Sequence, residues 1–158
     1  MKNVILVLFF IFLACGSSKR YETKELDLSG KNLKKLPERI LKYRNLKTIN
    51  LRNNKFIEFP LQLSQLTYLE NIYLSDNYID SIPVEILNFK NLKVLDLEGN
   101  KIRYFRNLST MDSLKVISIT HNPLKTKKSS IECLIPEKAE ALYGYEFPSI
   151  KGLDCKTR

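Results

Sequence analysis

Few side chains in this 158-residue chain could do chemistry: three cysteines, one histidine and closely spaced carboxylates, among them the central pair Asp96 and Glu98. Asp96 and Glu98 are two apart, so on a strand they share a face. They could divide acid and base work only in a dry pocket that pushed their pKa values apart. Nothing in the sequence builds such a pocket around them. A zinc site needs more ligands than His121 alone and no CxxC can supply. There is no GxSxG, no HExxH and no glycine-rich phosphate loop. A nucleophile–base pair has almost no candidates. The chain reads as no enzyme, with no catalytic residue, no metal and no cofactor.

The cysteines point to export instead. Cys15 follows a cationic start, Met1-Lys2-Asn3, the apolar run "VILVLFFIFL" from Val4 to Leu13, and Ala14. Gly16-Ser17-Ser18 come after it. This is the three-part layout of a secretory signal peptide. Ten apolar residues rise only ~15 Å as a helix, about half a bilayer core, so this run is too short for a stable transmembrane anchor. "Phe12-Leu13-Ala14-Cys15" resembles the lipobox of bacterial lipoproteins, with Phe12 where leucine is usual, as in the looser lipoboxes of spirochaetes. The resemblance implies a lipoprotein signal peptide over 1–14 and lipid attachment at Cys15. It implies an exported protein anchored to the outer membrane, on the cell surface or the periplasmic face. A plain signal peptide with a chance cysteine is the alternative. Cys133 and Cys155 remain, and in an exported chain a disulfide between them is the natural use. The loop of about 23 residues would be worth ~3 kcal/mol on the chain-entropy view. Two free buried thiols are the other possibility.

Removing residues 1–14 from 158 leaves 144, enough for one domain with a core. Apolar residues make up 44% and charged ones 27%, a globular balance, and the formal charge is +9. That charge raises nucleic acid or a membrane surface as partner.

A repeat positions these residues. "LKTINLRNNKFIEFP" begins at Leu46, "LENIYLSDNYIDSIP" at Leu69, "LKVLDLEGNKIRYFR" at Leu92 and "LKVISITHNPLKTKK" at Leu114, spaced 23, 23 and 22 residues apart. "TKELDLSGKNLKKLP", from Thr23, makes a fifth unit with a polar first position. The pattern is L-x-x-L-x-L-x-x-N-x-L, and the chain resembles the leucine-rich repeat family over residues 22–125. Asn54, Asn77, Asn100 and Asn122 hold the ninth position, where the first unit has Lys31. Leu36-Pro37, Phe59-Pro60 and Ile82-Pro83 mark the return, where the fourth unit has Phe105-Arg106.

The fold expected is an α/β leucine-rich-repeat solenoid: five repeats, a parallel concave sheet and a C-terminal cap. The pairs at positions four and six (Leu26/Leu28, Ile49/Leu51, Ile72/Leu74, Leu95/Leu97, Ile117/Ile119) face inward on one side of a strand. Ile40, Leu63, Ile86, Tyr43, Leu66 and Phe89 fill the core from the convex side. The asparagines can form a ladder, since an amide both donates and accepts. "IPEKAEALYG" (135–144) predicts a short helix, with Pro136 in its first turn and Gly144 as its stop. The chain divides into a signal peptide (1–14), a tether (15–22), the repeats (23–124) and the cap (125–158).

Positions three, five, seven and eight face outward on the concave side. Among those twenty residues Arg52 is the only basic one and five are acidic: Glu25, Asp27, Asp76, Asp96 and Glu98. The cations lie elsewhere: Lys31, Lys34, Lys35, Arg39, Lys42 and Arg44 on the first return, opposed by Glu38, and a smaller group at Lys125, Lys127 and Lys128. A nucleic-acid groove would combine basic and aromatic residues on one face, so no nucleic-acid partner is expected. The first-unit cations fit an anionic surface or a plain solvated face. The family resemblance implies a protein or peptide ligand on the concave face. The ligand-binding candidates are Asn50, Arg52, Tyr73, Asp76, Asp96, Glu98 and His121, with Tyr73 and Arg52 first, as hot spots favour tyrosine and arginine. His121 is either a ligand contact or a residue covered by the cap. The alternative function is an envelope organiser without a host ligand.

Overall fold

The computed structural model describes residues 21–125 and 134–142. Six short strands lie in one parallel sheet in chain order: β1 (Glu25–Asp27), β2 (Thr48–Asn50), β3 (Asn71–Tyr73), β4 (Val94–Asp96), β5 (Val116–Ser118) and β6 (Glu140–Leu142). The first five pair residue for equivalent residue, so Leu26, Ile49, Ile72, Leu95 and Ile117 stand side by side. Ile49, Ile72, Leu95 and Ile117 are wholly buried, as the alternation requires. The pairing runs past the strands: Leu51 N–H donates to Tyr73 O at 2.8 Å, and Asn53 N–H to Ser75 O at 3.0 Å.

Proline starts each of the first three returns. Pro37, Pro60 and Pro83, with φ of −64°, −75° and −74°, precede one 3-10 turn apiece at Glu38–Lys42, Leu61–Gln65 and Val84–Asn88. Each turn buries one aliphatic residue: Ile40, Leu63 or Ile86. Leu66 and Phe89 are buried beside them, while Tyr43 is half-buried with its ring edge-on to Tyr21. The fourth unit has Arg106 in place of proline. Its Nε donates to Ile82 O at 2.8 Å, and Leu108 and Met111 fill the core there.

The asparagine ladder joins the coils. Asn77 Nδ2 donates to Leu51 O (3.0 Å), Leu74 O (3.0 Å) and Ser75 O (3.3 Å), and its Oδ1 accepts from Phe56 N–H (3.0 Å). Asn54, Asn100 and Asn122 repeat the arrangement. Each amide serves its own coil and the one before it. Among the described residues no coil precedes the first unit, so an asparagine at position nine would have no earlier coil to bond, and Lys31 stands there.

Position eight is left-handed in every unit: Gly30 (φ 65°), Asn53 (54°), Asp76 (56°), Gly99 (63°) and His121 (55°). Glycine, asparagine, aspartate and histidine are the residues that accept this conformation most readily. The backbone therefore selects the residue type at this position.

The helix expected over 135–144 does not form in its described part. Residues 134–138 make a turn, closed by Ala139 N–H to Pro136 O at 2.9 Å, and Glu140–Leu142 continue as β6, parallel to β5. A helix of this length is marginal in water, whereas β5 offers an unpaired strand edge. The pairing of Val116, Ile117 and Ser118 with Glu140, Ala141 and Leu142 satisfies that edge. The signal peptide, Cys15, Cys133, Cys155, Lys127 and Lys128 lie outside the described residues. Among the described residues no helix is long and apolar enough to cross a membrane.

Candidate functional site

The centre of the concave sheet is organised around Arg52. This residue follows β2 and reaches across β3 to β4. Its Nη2 and Nε donate to Asp96 Oδ2 at 2.7 and 3.1 Å, and Nε also lies 3.0 Å from Ser75 Oγ. Its guanidinium carbon stands 4.2 Å from the centroid of the Tyr73 ring, a stacked cation–π contact. Asp96 is buried, while Arg52 keeps 39% of its side chain exposed. Arg52, Tyr73 and Asp96, chosen separately from the sequence, thus form one cluster with Ser75. Ser75 is not among the residues that the sequence singles out. In-register stacking at 23-residue spacing was the signal, since it puts Ser75 directly beside Arg52.

Asp96 has a second task. Its Oδ1 accepts Glu98 N–H at 3.2 Å, as Asn50 Oδ1 accepts Arg52 N–H at 3.2 Å and Asp27 Oδ1 accepts Ser29 N–H at 2.8 Å. Position five thus closes a local turn around the position-seven N–H in three units. Ser29 also donates its hydroxyl to Asp27 at 2.7 Å, and the two bonds hold the Asp27 carboxyl below the usual range. Asn50 faces the strip, but its side-chain oxygen is already engaged.

Glu98 and His121 make a separate pair toward β5, with His121 Nδ1 3.0 Å from Glu98 Oε1. The His121 side chain is 66% exposed, so the described cap does not cover it. Asp76 joins neither group. It lies at the ends of the strands, where it lines an open polar hollow of about 410 Å³ with Asn53, Tyr78, Gly99 and two lysines, Lys55 and Lys101. Glycine at 99 leaves room for it: a Cβ there would stand 2.6 Å from Asp76 Oδ1.

Glu70, at position two, ties three coils together. It bridges Lys47 Nζ at 2.8 Å and Lys93 Nζ at 2.7 Å, the in-register residues of the flanking coils. The bond from Lys47, then that from Lys93, pulls its pKa down to about 2. Among the described residues no group of three or more His, Cys, Asp or Glu side chains could hold a metal ion.

In-register parallel strands, an asparagine ladder and one-turn returns define a repeat solenoid with an open sheet face. Residues 45–66 match the family described as Leucine Rich Repeat, and residues 67–124 match Leucine rich repeat. These adjoining matches cover just over half of the chain, which is a leucine-rich repeat protein. It is similar in structure to a leucine-rich-repeat protein of Leptospira interrogans, with 26% identity, a TM-score of 0.59, and cover of 78% of this chain and 38% of that one. It is similar to an internalin C2 of Listeria monocytogenes (21%, TM-score 0.56, 68% of this chain and 46% of that one). It is also similar to the protein of a TLR13–ssRNA13 complex (24%, TM-score 0.64, 75% and 17%). The last two likenesses concern the fold alone. The chain spans less than half the length of each of these proteins. No curated protein matches it. Leucine-rich repeat domains generally mediate protein–protein interaction, and the family is typically one of binding modules.

Proposed function

We propose that this protein is an exported, lipid-anchored binding module that takes a protein or peptide ligand on its concave face, centred on Tyr73 and Arg52. The observation that carries the concave-face reading is the cluster of Arg52, Tyr73, Ser75 and Asp96. Arginine and tyrosine are favoured at binding hot spots, and here each holds the other in place. A side chain fixed before binding loses less entropy when the ligand arrives. Six strands at ~4.8 Å give a strip about 24 Å wide, suited to one small partner surface. Export and anchoring rest on the signal-like start and the lipobox-like Phe12-Leu13-Ala14-Cys15, and a Cys133–Cys155 disulfide belongs to the same reading.

The test is a photo-crosslinking residue placed at Tyr73, and in a second protein at Tyr68, which is 59% exposed outside the strip. In the native host the Tyr73 position should yield a discrete protein adduct and the Tyr68 position should not. The Tyr73→Ala protein should bind the captured partner at least tenfold more weakly, with stability within ~1 kcal/mol of the parent. Adducts from Tyr68 alone, or unchanged affinity of the Tyr73→Ala protein, would refute the concave assignment.

A further inference from the structure

The coils of this solenoid match charge where they can. Lys47, Glu70 and Lys93 occupy one position in three successive coils and pair across them. The first coil is different. Lys31, Lys34, Lys35, Arg39, Lys42 and Arg44 fall within fourteen residues, all exposed, and none is in an ion pair with a described residue. Glu38 is the one acid among them. The return stacked against them, residues 61–68, carries no charge. Glu58, in register with Lys35, makes no ion pair with a described residue. A coil is a slice about 4.8 Å thick, so six cations share one end of the stack. Leu26, Leu28, Leu33, Leu36 and Leu41 of the same coil are only partly buried.

We infer that this first coil is a docking surface for an anionic lipid bilayer. Cations line the return side of this coil, exposed Glu25 and Asp27 lie on its strand side, and half-covered leucines sit in the same coil. Lysine and arginine near an anionic leaflet each strengthen binding about fivefold, and their effect fades within a Debye length. A nucleic acid would ask for exposed aromatic rings to stack on. Here Tyr43 is half-buried against Tyr21, and Lys42 Nζ lies 5.8 Å over the Tyr21 ring. The surface is separate from the Tyr73–Arg52 cluster, so it stands or falls independently of the concave-face reading.

The experiment is vesicle co-sedimentation of the full chain. Vesicles of phosphatidylcholine alone set the baseline, including any insertion of the apolar Val4–Leu13 run, and vesicles with phosphatidylglycerol read the charge. Anionic vesicles should bind far more protein, and the excess should fall steeply with salt. The Lys34→Gln/Lys35→Gln/Arg39→Gln variant should lose roughly a hundredfold of that excess. The Lys90→Glu/Lys101→Glu variant, altered away from this coil, should keep it. Circular dichroism checks folding, and the salt titration of the parent decides the matter should the triple variant unfold. Equal binding to both vesicle types, equal loss in the two variants, or a flat salt response overturns the inference. Competition by single-stranded DNA at concentrations matching the lipid would reassign the surface to polyanions in general and overturn it as well.

Discussion

Replacing Asn77 with alanine tests the ladder that holds the concave strip together. The side chain is 3% exposed and serves four backbone groups. Three of them keep another donor when it is lost. Leu51 O retains Asn54 Nδ2 (3.0 Å), Leu74 O retains Asn100 Nδ2 (2.9 Å), and Ser75 O retains Asn53 N–H (3.0 Å). Phe56 N–H has no second partner in the described structure, and Phe56 itself is 1% exposed. Stranding one buried donor costs about 1–3 kcal/mol, and the lost amide bonds add about 1 kcal/mol. The Asn77→Ala protein should therefore be about 2–4 kcal/mol less stable. Urea unfolding followed by circular dichroism measures the loss, and hydrogen exchange should show the Phe56 amide losing protection. A loss below about 1 kcal/mol, with Phe56 still protected, would refute the claim that the donor is stranded.

Glu70 sets an acid response. Its folded pKa of about 2 lies below the ordinary 4.5, so the unfolded chain takes up the proton first. The stabilisation it provides is complete above about 4.5 and drains away as pH falls toward 2. Glu70→Gln should flatten the stability–pH curve across that window, and parallel curves for parent and variant would count against the bridge. For the anchor, intact mass and detergent partitioning of the protein from its native host should give an acylated mature chain beginning at Cys15, with two hydrogens fewer if Cys133 and Cys155 are joined. A Cys15→Ala protein should lose the acyl mass, and a water-soluble parent without such mass would overturn the anchoring.

The repeat was legible because each coil repeats one solution to one problem. The inward pairs, the asparagines and the prolines are dictated by contacts with the next copy of the same motif, so spacing alone exposes them. For the candidate site, the sequence names outward residues and does not show their grouping. Tyr73, Arg52 and Asp96 were chosen as outward residues, and counting positions gives no view of a guanidinium crossing two strands. Position eight was read as ligand-facing, although its left-handed backbone already accounts for Asn53, Asp76 and His121. The cap misled because its local pattern favours a helix, while the strand in β6 is imposed from outside by the edge of β5. Such an edge belongs to the stack and leaves no mark in the ten residues that answer it.

The half-covered leucines of the first coil give the molecule a direction. In a stack where each coil touches only its neighbours, an end coil has one interface and an inner coil two. At the far end β6 supplies a second interface to β5, while among the described residues β1 pairs with β2 alone. Opening should therefore travel from the first coil inward, past the Asn54 amide, to two ties that each span the second to fourth coils, Arg52–Asp96 and Lys47–Glu70–Lys93. A partner seated on the first coil should therefore slow hydrogen exchange beyond its own footprint, into the coils stacked behind it.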